Sequence, residues 1–388
     1  MNVFFSDEGQ RARVLKGVRR VVVKVGTQLL MGGKTGSEER VAELVAALAG
    51  LRRRGLEVIL VTSGAIGAGM RILGTAKRPS HIPGLQAHAA VGQCRLMSLY
   101  ETACAKLGFH AGQLLLTAAD VRDRDRYLNV MHCLHEMLQT GILPVINEND
   151  SVSVDEIQFG NNDTLAALVG SMCNADLVIL LTTIDGMHER LPEAAGFGRR
   201  LSVVPAVTPR LRQMAMGTDG NALSVGGMIT KVHAAEMLMK SGAAMWIACG
   251  RDFAVLNDIL KGADVGSLFV AADGARLNAQ KRFLAFFSKP AGDVVVDAGA
   301  EKALVAQGRS LLPSGITAVL GSFKRGATVR VVNASGLELA KGVTNYDSAE
   351  LALIRGRNTH EIPGLLGGEH HYEEVIHRDH LVLTSAEG

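Results

Sequence analysis

Apolar and polar positions follow two different rhythms along this chain. In the first two-thirds, short and nearly continuous apolar runs recur: RRVVVKVG (19–26), LEVILVTSG (56–64), QLLLT (113–117), ILPVIN (142–147), DLVILLTT (176–183) and AAMWIAC (243–249). Amphipathic segments of helix length separate them. Runs of this length bounded by turn residues read as strands buried on both faces. Their alternation with helices predicts an α/β fold, a mostly parallel sheet between helix layers. The first long helix is predicted to be capped by Ser37, with Glu38 and Glu39 in its first turn, and to end at RRRG (52–55).

The rhythm changes near residue 270. AADGARLNAQKR (271–282) is polar and without periodicity, and beyond it come short strand-like runs: GDVVVD, GITAVLG, ATVRVVN and LELAKGVTNY, split by Gly, Ser and Asn turns. One helix-like piece falls at 299–307. The predicted organisation is an α/β domain over 1–270, a linker over 271–282, a small β-rich domain over 283–368 and a polar, His-rich tail over 369–388. A chain of 388 residues exceeds what one core usually holds, which agrees with two domains.

Composition narrows the class. Hydrophobic residues make up 47% and charged residues 20%, ordinary for a globular protein, and no run approaches the ~20 apolar residues of a membrane helix. The segment MNVFFSDEGQRARVLKG carries no signal-peptide apolar stretch, so a cytoplasmic protein without a membrane partner is expected. Five cysteines with no C-x-x-C spacing read as reduced thiols. A formal charge of +3 argues against a bulk nucleic-acid partner.

The chemistry is concentrated where strands end, the place at which open α/β sheets bind ligands. Lys24 interrupts VVVKVG. A lysine within a buried strand needs an anionic partner, unless the strand lies at an edge and the side chain snorkels out. GGKTG (32–36) lacks the upstream glycine of a P-loop at the required spacing and reads as a surface turn. Ser63 and Gly64 in VTSGAIGAG lie at a strand-to-helix turn where backbone N–H groups can approach an anion, and no G-x-S-x-G hydrolase elbow is present. Between Asn147 and Asp163 the chain places Asn147, Glu148, Asn149, Asp150, Asp155, Glu156, Asn161, Asn162 and Asp163. Helix capping explains one or two of these. The set as a whole suits a pocket that grips a zwitterion through carboxylate, amide and N–H groups. SVGGMITK (224–231) offers a glycine pair, a helix start and Lys231, a second phosphate-binding arrangement. Two lysines at separate element ends suit a transferring phosphoryl group. With Mg2+ they would supply the positioning and charge neutralisation this chemistry requires, and the reading is a small-molecule kinase.

The ordered motifs VVVKVGTQLL, VTSGAIGAG, AAVGQCRLMSLYE, LLLTAADVRDRDRYLN, PVINENDSV, FGNNDTLAA, LLTTIDG, GGMITKVHAAE, SLLPSGITAVLGSF, GVTNYDS and VIHRDHLVL cover nearly the whole chain. Through them it resembles the glutamate 5-kinases, members of the amino-acid kinase family with a C-terminal PUA domain. The resemblance implies ATP- and Mg2+-dependent phosphorylation of the side-chain carboxylate of L-glutamate, the first step of proline biosynthesis. It implies that Lys24 and Lys231 stabilise the transferring phosphoryl, that Asp163 orients them, and that Ser63, Asp150 and Asn162 bind glutamate. The nucleotide would lie against Lys24, Thr182, Thr183, Val225, Gly226, Gly227, Met228, Ile229, Thr230 and Lys231. Proline as feedback inhibitor, a homo-oligomer, and a link to a glutamyl-phosphate reductase that consumes the acyl phosphate are implied as well.

Three positions depart from the family: Asn161 and Thr183 stand where Asp is usual, and Val225 where Thr is usual. The first bears on glutamate affinity and the other two on ATP affinity. A diverged paralogue with altered substrate is the alternative within the class. Aspartate, N-acetylglutamate and nucleoside-monophosphate kinases share the fold, but PVINENDSV with a PUA-like segment points away from them. From another class comes RNA binding through the PUA-like domain. Residues 291–388 hold nine Lys and Arg against twelve Asp and Glu, which argues against it.

Overall fold

The computed structural model describes residues 7–31, 36–152, 161–190, 197–215, 227–271, 277–367 and 372–384. The chain divides into two compact units, one over Met1–Val121 and Asp125–Arg276, the other over Arg122–Arg124 and Leu277–Gly388.

The first unit is built on an eight-stranded sheet. Its strands are β1 (Arg20–Val25), β2 (Glu57–Val61), β3 (Ala111–Leu116), β4 (Leu143–Glu148), β5 (Leu177–Thr182), β8 (Val203–Val204), β9 (Ala244–Cys249) and β10 (Ser267–Phe269), with a separate hairpin of β6 (His188–Arg190) and β7 (Phe197–Arg200). The spatial order is β3-β4-β2-β1-β5-β9-β10-β8, and every pairing is parallel except β9 with β10. All six apolar runs of the first two-thirds are strands of this sheet. The pair β8 and β10, two and three residues long, is too short to leave a periodic signal.

Helices α1 (Asp7–Leu15), α2 (Thr27–Met31), α3 (Ser37–Arg53), α4 (Ala65–Ile72), α5 (Ile82–Ala105), α6 (Ala118–Arg122), α7 (Arg124–Gln139), α8 (Asn162–Met172), α9 (Pro209–Ala215), α10 (Met228–Ser241) and α11 (Val255–Leu260) accompany the strands. The main core joins β1, β2, β5 and β9 to α3 and α5, with Val21, Val23, Leu44, Leu48, Leu60, Leu96, Ile179 and Trp246 fully buried. Burying each such side chain is worth roughly 1.5–3 kcal/mol, so the apolar content of the strands accounts for the sheet's place in the interior. Helix α3 starts one residue earlier than the capping argument expects. Gly36 is its N-cap, with no side-chain cap bond, and Ser37 is the first helical residue.

Helices α4 and α5 approach each other through glycines. A Cβ on Gly92 would lie 1.8 Å from the carbonyl oxygen of Ala65, and one on Gly69 would lie 1.9 Å from that of His88. Backbone on both sides leaves no side chain to yield. Gly92→Ala is therefore expected to force the two helices apart and destabilise the protein by about 1–3 kcal/mol, the usual cost of overpacking. A thermal unfolding curve unchanged from wild type would contradict this.

The second unit is a five-stranded sheet of β11 (Gly292–Val296), β12 (Ile316–Gly321), β13 (Thr328–Val332), β14 (Glu338–Val343) and β15 (Leu381–Leu383), in the order β12-β11-β13-β14-β15. Only β11 with β13 is parallel. Val294, Val296, Val329, Val331, Leu339, Tyr346, Leu351 and Ile354 form its core. Here the expectation of a polar tail over 369–388 is corrected. Leu381–Leu383 is the edge strand paired to β14, and Val375 and Ile376 are fully buried in this core. Four buried apolar residues among histidines and acids, Val375, Ile376, Leu381 and Val382, suffice to tie this segment to the unit.

Candidate active site

Strand β1 carries Lys24 in the middle of the sheet, between β2 and β5, with Val61 and Leu180 as its register partners. The edge-strand reading of this lysine is thereby excluded. Its ammonium finds an anion instead: Lys24 Nζ lies 2.7 Å from Asp163 Oδ1. Lys231, in the first turn of α10, approaches the other oxygen, with Nζ 2.9 Å from Asp163 Oδ2. The Asp163 carboxylate is almost wholly buried, its side chain 2% exposed, against 12% for Lys24 and 8% for Lys231.

The N-terminus of α8 delivers that carboxylate. Asn161 is the N-cap, and its Oδ1 accepts from the N–H groups of Asp163 and Thr164, each at 2.9 Å. Asn and Asp cap equally well, so the departure from Asp at this position leaves the helix start intact. Burial alone would raise the Asp163 pKa, but the charges of Lys24 and Lys231 outweigh it and hold the group at about 2. The carboxylate is ionised throughout the physiological range. Two ammonium groups around one carboxylate leave a surplus positive charge in a low-dielectric setting, which favours a polyanion.

Helix α10 adds to that field. Gly227 is its N-cap and has no side chain to cap the first turn, whose N–H groups point toward the helix's N-terminal end, a place that suits an anion. Thr230 Oγ1 lies 2.8 Å from the Gly227 carbonyl and 3.3 Å from Asp163 Oδ2, and its one proton serves the nearer oxygen. Met228, Ile229 and Thr230 thus lie on the turn that presents Lys231, while Val225 and Gly226 fall outside the described residues. Thr182 ends β5, the neighbour of β1, and Thr183 follows it. Asp155, Glu156 and the residues 32–35 of GGKTG also lie outside the described residues.

On the other side, toward β2 and β4, a chain of amides is assembled. Asn162 Nδ2 lies 2.8 Å from the Thr62 carbonyl, 2.6 Å from Ser63 Oγ and 3.1 Å from Asn147 Oδ1. Asn147 Nδ2 in turn donates to Gln93 Oε1 at 2.9 Å. The turn that presents Ser63 depends on Gly64, whose φ of 107° favours glycine. Thr62 is held from behind, with Oγ1 2.7 Å from the hydroxyl of the fully buried Tyr100.

Asp150 lies just past β4, half-buried, in the turn Asn149–Val152. Burial first, and then the charge of the buried Glu148, push its pKa up to about 6, against a smaller opposing influence of Arg78.

The structure thus brings Lys24, Lys231 and Asp163 into direct contact, and joins Asn162 to Ser63. Asp150, Thr182 and Thr183 lie at the ends of β4 and β5, beside these two groups in the sheet order. Sequence reasoning missed Gln93, Tyr100 and Thr62, all within matched motifs or beside them. A glutamine inside the long helix α5 looks like one of its solvated positions, and no period sets it apart.

Comparison with known proteins places the chain in a family. The model of the amino acid kinase family matches residues 19–249, and the PUA domain model matches 292–366. The chain belongs to the amino acid kinase family. Its similar relatives include a glutamate 5-kinase of Citrifermentans bemidjiense, 46% identical over 96% of this chain and 100% of that protein. Others are the glutamate 5-kinases of Trichlorobacter lovleyi, 45% identical over 97% and 99%, and of Caldanaerobacter subterraneus, 45% identical over 94% and 97%. As a family member it combines an amino acid kinase domain with a β-rich PUA domain. Strand β15 lies beyond the segment that the PUA model matches.

Proposed function

We propose that the Lys24–Asp163–Lys231 cluster and the amide chain beside it are the two halves of one active site, for ATP-dependent phosphorylation of the side-chain carboxylate of L-glutamate. The observation that carries this reading is one buried carboxylate shared by two ammonium groups, next to a pocket of uncharged donors and acceptors. Lys24, Lys231 and the first turn of α10, with Val225 and Gly226 ahead of it, receive the phosphates. Thr182 and Thr183 flank the nucleotide. Ser63, Asn162 and Asp150 hold the amino acid, Asp150 by accepting from its ammonium.

A side-chain carboxylate oxygen attacks the γ-phosphorus. The new O–P bond forms as the bond from phosphorus to the bridging oxygen breaks, ADP departs, and no proton moves. A carboxylate is already a competent nucleophile, so no general base is required. The two lysines neutralise charge gathering on the transferring phosphoryl, and Asp163 fixes their separation.

Asp163 is occupied by the two lysines, and among the described residues no group of three or more His, Cys, Asp or Glu has metal-binding spacing. The donor set suits Mg2+ arriving on the phosphates of its nucleotide, as part of the substrate. The family supports three finer points: proline competing as a second zwitterion for the glutamate pocket, a homo-oligomer, and hand-over of the acyl phosphate to a glutamyl-phosphate reductase. It also supports a cytoplasmic setting. No helix among the described residues is long and apolar enough to cross a membrane. By the same reading, catalysis belongs to residues 1–270 and the PUA-like module to 283–368, extended by β15.

The test is ADP release with L-glutamate, L-aspartate and N-acetyl-L-glutamate in parallel. Turnover with glutamate far above the other two is expected, and preference for either of the others would overturn the assignment. The pH dependence follows from Asp150. Its ionised form, which attracts the ammonium, is lost as pH falls through about 6. The KM for glutamate is expected to rise about tenfold per pH unit below that point, with the KM for ATP steadier. Asp150→Asn should raise KM at neutral pH and flatten this dependence. A flat wild-type profile between pH 5 and 7 would contradict the role.

A further inference from the structure

We propose that Gln93 is an additional substrate-binding residue, whose Nε2 donates to a carboxylate oxygen of the bound amino acid. The inference rests on placing glutamate against Ser63, Asp150 and Asn162.

The orientation of the amides follows from one fixed point. A backbone carbonyl can only accept, so the group of Asn162 that faces the Thr62 carbonyl at 2.8 Å is its NH2. Its two hydrogens serve the Thr62 carbonyl at 2.8 Å and the nearer Ser63 Oγ at 2.6 Å. Asn147 lies 3.1 Å away, where a second NH2 would repel the first, so Asn147 presents its oxygen there and its NH2 to the far side. Gln93 meets that NH2 at 2.9 Å and must present its own oxygen. Each amide orients the next, and Gln93 ends the chain with an NH2 whose direction is determined.

That terminal NH2 is buried and has no hydrogen-bond partner among the described residues. Gln93 as a whole is 9% exposed and Asn147 is 2% exposed. A buried donor without an acceptor costs free energy in the empty protein, and such groups are rare unless a ligand completes them. The acceptor that the proposed substrate brings is a carboxylate, of which glutamate has two, one of them beyond the reacting group.

Helix α5 fixes where this donor lies. Gly92, the preceding residue, is clamped against the backbone of α4 at Ala65 and Gly69. Two turns further along, Tyr100 contacts Thr62, whose carbonyl anchors Asn162. One helix therefore grips both β2 and β4 at the pocket, and Gln93 is not at liberty to swing out to solvent.

Two substitutions separate binding from scaffolding. Gln93→Glu keeps an oxygen for Asn147 Nδ2 and replaces the donor with an acceptor. Gln93→Met keeps the volume and removes both groups. The measurement is the KM for glutamate and for ATP from ADP release, with thermal unfolding of each variant. The expected result is a rise of at least tenfold in the glutamate KM of both variants, with the ATP KM within twofold of wild type. A Gln93→Glu protein with glutamate KM within twofold of wild type would mean that Gln93 only anchors Asn147, and would overturn the proposal. If Gln93→Glu does not fold, Gln93→Met decides. A selective rise in glutamate KM supports the contact, and an equal change for ATP or a change in unfolding alone overturns it. Ser63→Ala and Asn162→Ala serve as reference. If neither alters the glutamate KM, the amino acid binds elsewhere and the whole pocket assignment fails. If they do and the Gln93 variants do not, only the present inference fails.

Discussion

Replacing Lys231 with methionine is expected to lower kcat by about 100- to 1,000-fold, the usual loss when one preorganised charge is removed from a transition state. The KM for glutamate should change little, because the amide chain around Ser63 and Asn162 does not include Lys231. Methionine retains the stem of a side chain that is 8% exposed, so the effect reads charge and not packing. Lys24→Met is expected to behave alike, since its ammonium meets the other oxygen of the same carboxylate. Steady-state ADP release at saturating substrates measures this, and a loss below tenfold would remove Lys231 from the transition state.

Asp163→Asn has the second large effect, and it falls on stability as well as rate. The side chain is 2% exposed and engages one buried and one largely buried ammonium group, so neutralising it leaves them facing each other without a counter-charge between them. Removing one partner of a buried ion pair typically costs about 3–5 kcal/mol. The amide can still accept one hydrogen bond, which places the expected loss toward the lower end. Since the Asp163 pKa is depressed to about 2, the stabilisation it gives is present above the ordinary carboxylate pKa and is lost as pH falls through that range toward 2. Wild type should therefore lose stability toward acid at this site, and Asp163→Asn should not. Denaturant unfolding at pH 7 and pH 3 tests both statements. Equal stability of the two proteins at pH 7 would refute the first.

Much of this was legible before any coordinate. The strands announce themselves because a parallel sheet covered on both faces is apolar at nearly every position. Val21, Val22, Val23 and Val25 are all fully buried. Lys24 stands out for the same reason, as a charge that such a strand must answer. The partner was not legible from β1 itself, because Asp163 comes from a helix start more than a hundred residues later. Asn161 looked like a lost carboxylate, yet the structure has it capping α8, a task its amide oxygen performs fully. Gln93 escaped notice because its role depends on the third dimension: the glycine contact between α4 and α5, and an amide sequence that crosses from α8 to β4 to α5. Strand β15 escaped because three residues carry no period, and a histidine-rich neighbourhood masked four buried apolar side chains.

The measurement that reaches the central claim most directly follows the oxygen that is phosphorylated. L-glutamate labelled with 18O in both side-chain carboxylate oxygens is incubated with the protein, ATP and Mg2+, and the acyl phosphate is trapped with hydroxylamine. Attack at the carbonyl carbon releases phosphate that keeps the bridging oxygen, which 31P NMR resolves by its isotope shift. One 18O per released phosphate, matched by ADP and hydroxamate, is the predicted result. Phosphate without 18O, released alongside ADP, would mean that water and not the glutamate carboxylate takes the phosphoryl group, and would contradict the account.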